Sequence, residues 1–181
     1  MKVVYPHCAG IDIHKKSMTV CVFSDPGQGK APELYKRTLP THTEGILELE
    51  AWLTMYGVSD VGLESTGVYW KPVWNTLEGK FGLHLSNPHH IRAIPGSKSD
   101  QRDGTRVTEM LAYGKLPTSF IPPLWQRELR DLTRMRARLT QERTRVGNRI
   151  EKVLEDAQIK LGCVASEVLG VSGRLMLVAL G

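Results

Sequence analysis

The spacing of apolar runs over the first half of the chain does most to limit what it can fold into. His7 to Ile13 and Met18 to Phe23 are apolar enough for buried strands, and only the polar link His14-Lys15-Lys16-Ser17 lies between them. So short a link makes an antiparallel hairpin the natural connection. Glu33 to Leu39 predicts a third strand, after the loose Asp25-Pro26-Gly27-Gln28-Gly29-Lys30. Thr43 is placed to cap a helix with the stripe Ile46, Leu47, Leu49, Trp52 and Leu53, closed by Gly57. Val58 to Glu64 then reads as a strand, Trp70 to Phe81 as a helix with Val73, Trp74 and Leu77 inward, and Leu83 to Leu85 as a short strand. A meander followed by alternating strands and helices predicts an α/β fold with a mixed sheet.

The pattern changes after Ile121-Pro122-Pro123. From Trp125 onward there is no proline, and a heptad runs through Leu129, Leu132, Leu139, Val146, Ile150, Val153 and Ala157. The inner positions 136 and 143 are both arginine, which disfavours a tight homodimeric seam. Between Gln126 and Lys152 nine Lys or Arg stand against four Asp or Glu, an excess equal to the +5 of the whole chain. The basic character therefore belongs to this helix. Leu169 to Gly173 reads as a turn into a last helix, Arg174 to Leu180. The domains expected are 1–120, a basic coiled-coil linker 121–162, and 163–181 as the start of a truncated C-terminal domain.

At 181 residues and 41% hydrophobic, the chain has enough apolar content for a real core. A pI near 9.2 favours an acidic partner. Cys8, Cys21 and Cys163 lack CxxC spacing and argue against zinc. The chain has no signal-peptide core and no stretch long enough to span a bilayer, so the expectation is a cytoplasmic protein with no membrane partner.

Against this basic background four acids stand out. Asp12 follows the apolar run Cys8 to Ile11, Glu64 closes Val61-Gly62-Leu63, and Asp100 and Asp103 sit three apart after Pro95-Gly96-Ser97-Lys98-Ser99. The last two would share one face of a helix's first turn, where the helix dipole tolerates negative charge. Phosphodiester cleavage needs an activated nucleophile and stabilised charge on the leaving oxygen, which two Mg²⁺ ions held by carboxylates can supply. Taken singly, each acid reads more readily as a turn or cap residue. Their number and order favour a metal site.

Gly10-Ile11-Asp12-Ile13-His14-Lys15-Lys16, Glu64-Ser65-Thr66-Gly67-Val68-Tyr69-Trp70, and Asn87-Pro88 followed by Lys98-Ser99-Asp100-Gln101-Arg102-Asp103 closely resemble the DEDD transposases of bacterial and archaeal insertion sequences, relatives of the Piv site-specific DNA invertases. Ile121-Pro122-Pro123 and Arg127 to Thr133 resemble that family's continuation. The resemblance implies an RNase H-like (RuvC-like) mixed sheet flanked by helices, followed by a long helical, coiled-coil segment. It implies that Asp12, Glu64, Asp100 and Asp103 are catalytic and bind Mg²⁺, with Mn²⁺ able to substitute. It also implies DNA and an element-encoded guide RNA as partners, and a homo-oligomer through the coiled coil. Two departures stand out. The family continues into a domain with a catalytic serine, a role that neither Ser166 nor Ser172 takes. Gly104-Thr105-Arg106 follows the last acid where the family has a better helix former, and glycine costs about 1 kcal/mol against alanine there, so this helix is expected to start late.

The nucleic-acid contacts expected are Lys98, Arg102, Arg134, Arg136, Arg138, Arg143, Arg145 and Arg149, with Arg136 and Arg143 facing either RNA or acids of a partner helix. A solvated arginine face is the plainer reading of the helix. His14 should point to the same side as Asp12. His89-His90 beside Arg92 reads chiefly as exposed loop, Lys15 and Lys16 as a solvated turn, and Trp70 and Trp74 as core. Gly27 to Lys30 lacks Walker spacing. Two other readings stay in view: a nucleic-acid-binding fragment without strand transfer, and an actin-like or Hsp70-like nucleotide-binding domain, which lacks its glycine-rich phosphate loops here.

Overall fold

A computed structural model describes residues 2–27, 29–65, 67–93 and 104–180. The chain divides into two compact units, Met1–Ile121 and Pro122–Gly181. The first carries strands β1 (His7–Ile13), β2 (Ser17–Ser24), β3 (Glu33–Pro40), β4 (Asp60–Glu64) and β5 (Gly82–Ser86), and helices α1 (Thr43–Met55), α2 (Trp70–Leu77), α3 (Pro88–Ala93) and α4 (Thr105–Ala112). Five strands form one sheet in the order β3-β2-β1-β4-β5. β2 is antiparallel to β1 and β3, whereas β1, β4 and β5 run parallel. This mixed order, with helices on both faces, is the RNase H-like arrangement expected. The hairpin closes through His14 N donating to Ser17 O at 2.9 Å.

Alternation sorts the side chains of the central strands. Ala9, Ile11 and Ile13 of β1, Val61 and Leu63 of β4, and Leu85 of β5 join the main core, which includes Leu49 and Leu53 of α1 and Val73, Trp74 and Leu77 of α2. The opposite face holds a smaller cluster in which Cys8 and Phe23 meet Val107, Leu111 and Ala112 of α4, with Ile91 and Leu116. That face also carries Gly10, Asp12, Gly62, Glu64 and Ser86.

Several element boundaries differ from those read in the sequence. The N-cap of α1 is His42, whose ring Nδ1 accepts from Gly45 N at 3.3 Å, so Thr43 is already helical. Leu47 is 54% exposed, because it lies a quarter-turn off the stripe of Ile46, Leu49 and Leu53. α2 ends at Leu77 rather than Phe81, since the backbone turns through Glu78 and Gly79, the latter at φ +82°.

In the second unit, α5 (Leu124–Asp156) is 33 residues long, about 50 Å at 1.5 Å per residue. None of its residues is buried. Leu161, Ala165 and Val168 form a small cluster with Ile150, Leu154 and Leu177. The last helix, α6 (Val171–Ala179), begins earlier than Arg174 and takes Ser172 and Gly173 into its first turn. A Cβ on Gly173 would come within 2.3 Å of Val168 O, so glycine here permits a close backbone approach rather than a turn.

Candidate functional site

Parallel pairing of β1 with β4 aligns Cys8 with Asp60, Ala9 with Val61, Gly10 with Gly62 and Ile11 with Leu63. One residue further along the same register stand Asp12 and Glu64. Both therefore project from one face of adjacent strands, at strand ends separated by about 4.8 Å. These are the carboxyl ends of the parallel strands, beside the point where chain order reverses across β1, a usual ligand position in such sheets. Both acids are partly buried. His14, two residues on, lies with Nε2 3.3 Å from Asp12 Oδ2 while its own side chain is 62% exposed.

The next strand adds a residue that the sequence reading did not single out. Glu64 pairs with Ser86 across β4 and β5. Ser86 is fully buried, and its Oγ has no hydrogen-bond partner among the described residues. Leaving a buried hydroxyl unsatisfied costs about 1–3 kcal/mol. The signal available in sequence was alternation: Leu85 is apolar and faces the core, so the small polar Ser86 must face the acids.

Two glycines bring α4 onto this face. A Cβ on Gly10 would meet Thr108 N at 2.4 Å and Gly104 O at 2.7 Å, and one on Gly62 would meet Leu116 and Val107 at 3.0 Å. Thr108 is buried, its hydroxyl 2.8 Å from Gly104 O and 3.1 Å from Cys21 O. At its other end α4 accepts from Val4 N and Tyr5 N through Ala112 O. The helix therefore runs antiparallel to β1, with its N-terminal end toward Asp12. Gly104 has φ +63°, and a Cβ there would approach Thr19 O at 3.0 Å. α4 begins at Thr105, as late as expected, but glycine is required at 104 by conformation and space. Asp100 and Asp103, with Lys98 and Arg102, lie outside the described residues. Among the described residues no group of three or more His, Cys, Asp or Glu is placed to hold a metal.

The far end of the same face is fastened by a polar cluster. His84 Nε2 lies 2.8 Å from Asp60 Oδ1, and Ser59 Oγ donates to Asp60 Oδ2 at 2.8 Å. Burial, and then Asp60 and Cys21 nearby, push the Cys8 thiol from 9.0 up to about 12. Cys8 is thus an inert core residue.

α5 separates its expected nucleic-acid contacts into two sets. Arg134, Arg138, Arg145 and Arg149 fall on one side of the helix and are exposed. Arg136 and Arg143 lie on another side, lining a shallow groove with Leu132, Met135, Leu139 and Thr140. Arg143 also pairs with Glu167. The seam residues Leu129, Leu132, Leu139, Val146 and Val153 are all exposed.

Residues 9–159 match the IS110-type DEDD transposase family, whose description is Transposase. No curated protein matches the chain. Among solved structures it is similar to Thermus thermophilus RuvC, at 15% identity over 62% of this chain and 84% of that one, with a TM-score of 0.40. It is similar also to T. thermophilus RuvC in complex with a Holliday junction substrate (15%, 66% and 84%, 0.39). A third is the Fowlpox virus resolvase in complex with substrate Holliday junction DNA (16%, 58% and 70%, 0.37). With the family match spanning most of its length, the chain belongs to the IS110-type DEDD transposases.

Proposed function

We propose that this chain cuts DNA phosphodiesters with a divalent-metal site formed by Asp12, Glu64, Asp100 and Asp103, as part of guide-RNA-directed transposition in the cytoplasm. The observation that carries this is the adjacent register of Asp12 and Glu64 at the carboxyl ends of β1 and β4. The donor set fits Mg²⁺, or Mn²⁺ in its place: hard carboxylate oxygens side by side, with no cysteine among them. Once bound, the metal would polarise the scissile phosphate and acidify an attacking water.

The chain's own residues do the rest. Asp12 and Glu64 hold their positions because Ile11, Ile13 and Leu63 are locked in the core beneath them. His14 can hydrogen-bond the Asp12 carboxylate and restrict its rotation. Gly104 immediately follows Asp103 in sequence and lies against Gly10, two residues from Asp12. Asp103 enters as a third ligand, with Asp100, through the DEDD family motif. The N-terminal end of α4 adds a partial positive charge that favours clustered carboxylates.

The arginines of α5 would contact nucleic-acid backbone. Arg134, Arg136, Arg138, Arg145 and Arg149 have no ion-pair partner among the described residues. That supports a polyanion as their counter-charge. The exposed seam supports a homo-oligomer built through α5.

The test is cleavage of DNA in Mg²⁺ by the wild-type chain and by Asp12→Ala. Metal-dependent cleavage lost in the variant, with nucleic-acid binding retained, is the expected result. Binding without cleavage by the wild type would favour the second reading, a nucleic-acid-binding fragment, which rests on those five α5 arginines alone.

A further inference from the structure

We propose that Ser86 is a positioning residue for the acidic pair: its hydroxyl donates a hydrogen bond to the Glu64 carboxylate when that carboxylate holds a divalent cation. The inference rests on reading Asp12 and Glu64 as cation ligands. Three observations carry it. Ser86 stands opposite Glu64 in the parallel β4–β5 register, so the two side chains leave the same face of neighbouring strands. Ser86 is fully buried, so bulk water does not satisfy it. Its Oγ has no hydrogen-bond partner among the described residues.

A buried hydroxyl in that condition weakens the metal-free fold, and alanine would fill the same place without the penalty. Native orphans of this kind call for a use. Serine suits the use offered here. Its hydroxyl rotor can re-aim as the neighbouring carboxylate turns, and it adds no charge to a site that already concentrates negative charge. Carboxylates that ligate cations are themselves commonly held by hydrogen bonds, and losing such a partner weakens metal binding by about 10–100-fold. Ser86 would fix one Glu64 oxygen and leave the other for the cation.

The experiment is Mn²⁺ titration of the full chain by electron paramagnetic resonance, with thermal melts of the metal-free protein, for wild type, Ser86→Ala and Asp12→Asn. Ser86→Ala is expected to weaken Mn²⁺ binding about tenfold or more while the metal-free melting midpoint stays level or rises. A purely structural serine would lower the midpoint along with affinity, and that result overturns the proposal. So does unchanged affinity. Should the alanine chain not fold, Ser86→Cys, close in size but a weak donor, carries the same expectations. If Asp12→Asn weakens binding and the Ser86 variant does not, the role of Ser86 falls alone. If the wild type shows no saturable binding, the metal reading falls and takes this inference with it.

Discussion

Gly10 is where one residue most directly controls the site. Any side chain there would strike the backbone of α4 at Thr108, with only 2.4 Å to the nitrogen. Gly10→Ala should therefore lift α4 from the sheet and cost about 1–3 kcal/mol. A denaturation midpoint that falls with an unchanged slope would show this, and an unchanged midpoint would contradict it. Cys8, two residues earlier, makes a second prediction. Its folded thiol titrates near 12 against 9.0 for an ordinary thiol, because burial disfavours the thiolate. A raised folded value means that the contribution of Cys8 to stability is complete below pH 9 and declines as pH climbs from there toward 12. At neutral pH a thiol reagent should modify the exposed Cys163 quickly and the buried Cys8 and Cys21 only on unfolding. Three fast-reacting thiols in the native protein would refute that burial.

Among the elements, β1 is legible in sequence end to end, because a run that is apolar at nearly every position suits a strand covered on both faces. The edges of α1 and α2 are less so. His42 caps α1 through a ring nitrogen, a role that composition assigns first to the neighbouring Thr43. Gly104 looks like a flaw in a helix when read alone and becomes a requirement once Thr19 and Gly10 are seen above it. The Asp12–Glu64 pairing follows from strand order, which no local pattern encodes. The Ser86 orphan needs the register as well. α5 makes the element-scale prediction. If its outer arginines meet phosphates, Arg138→Ala with Arg145→Ala should weaken binding to unrelated nucleic-acid sequences alike. The salt slope should fall by about two, one for each phosphate that no longer has an arginine to neutralise it. Affinity measured across a range of salt concentrations tests this, and an unaltered slope would return these arginines to the role of a solvated face.

For the molecule as a whole, the sheet sets two acids side by side and directs the N-terminal end of α4 toward them, while the other end of the same strands is held by unrelated interactions such as that of Asp60 with His84. On the proposed function, acids far apart in sequence act as one divalent-cation site. Calorimetric Mn²⁺ titration of the wild-type chain, Asp12→Asn, Glu64→Gln and Asp100→Asn tests it most directly. Saturable binding by the wild type and at least about tenfold weaker binding in each variant are expected, since each removes a charged ligand. Equal weak binding by all four folded proteins would contradict it.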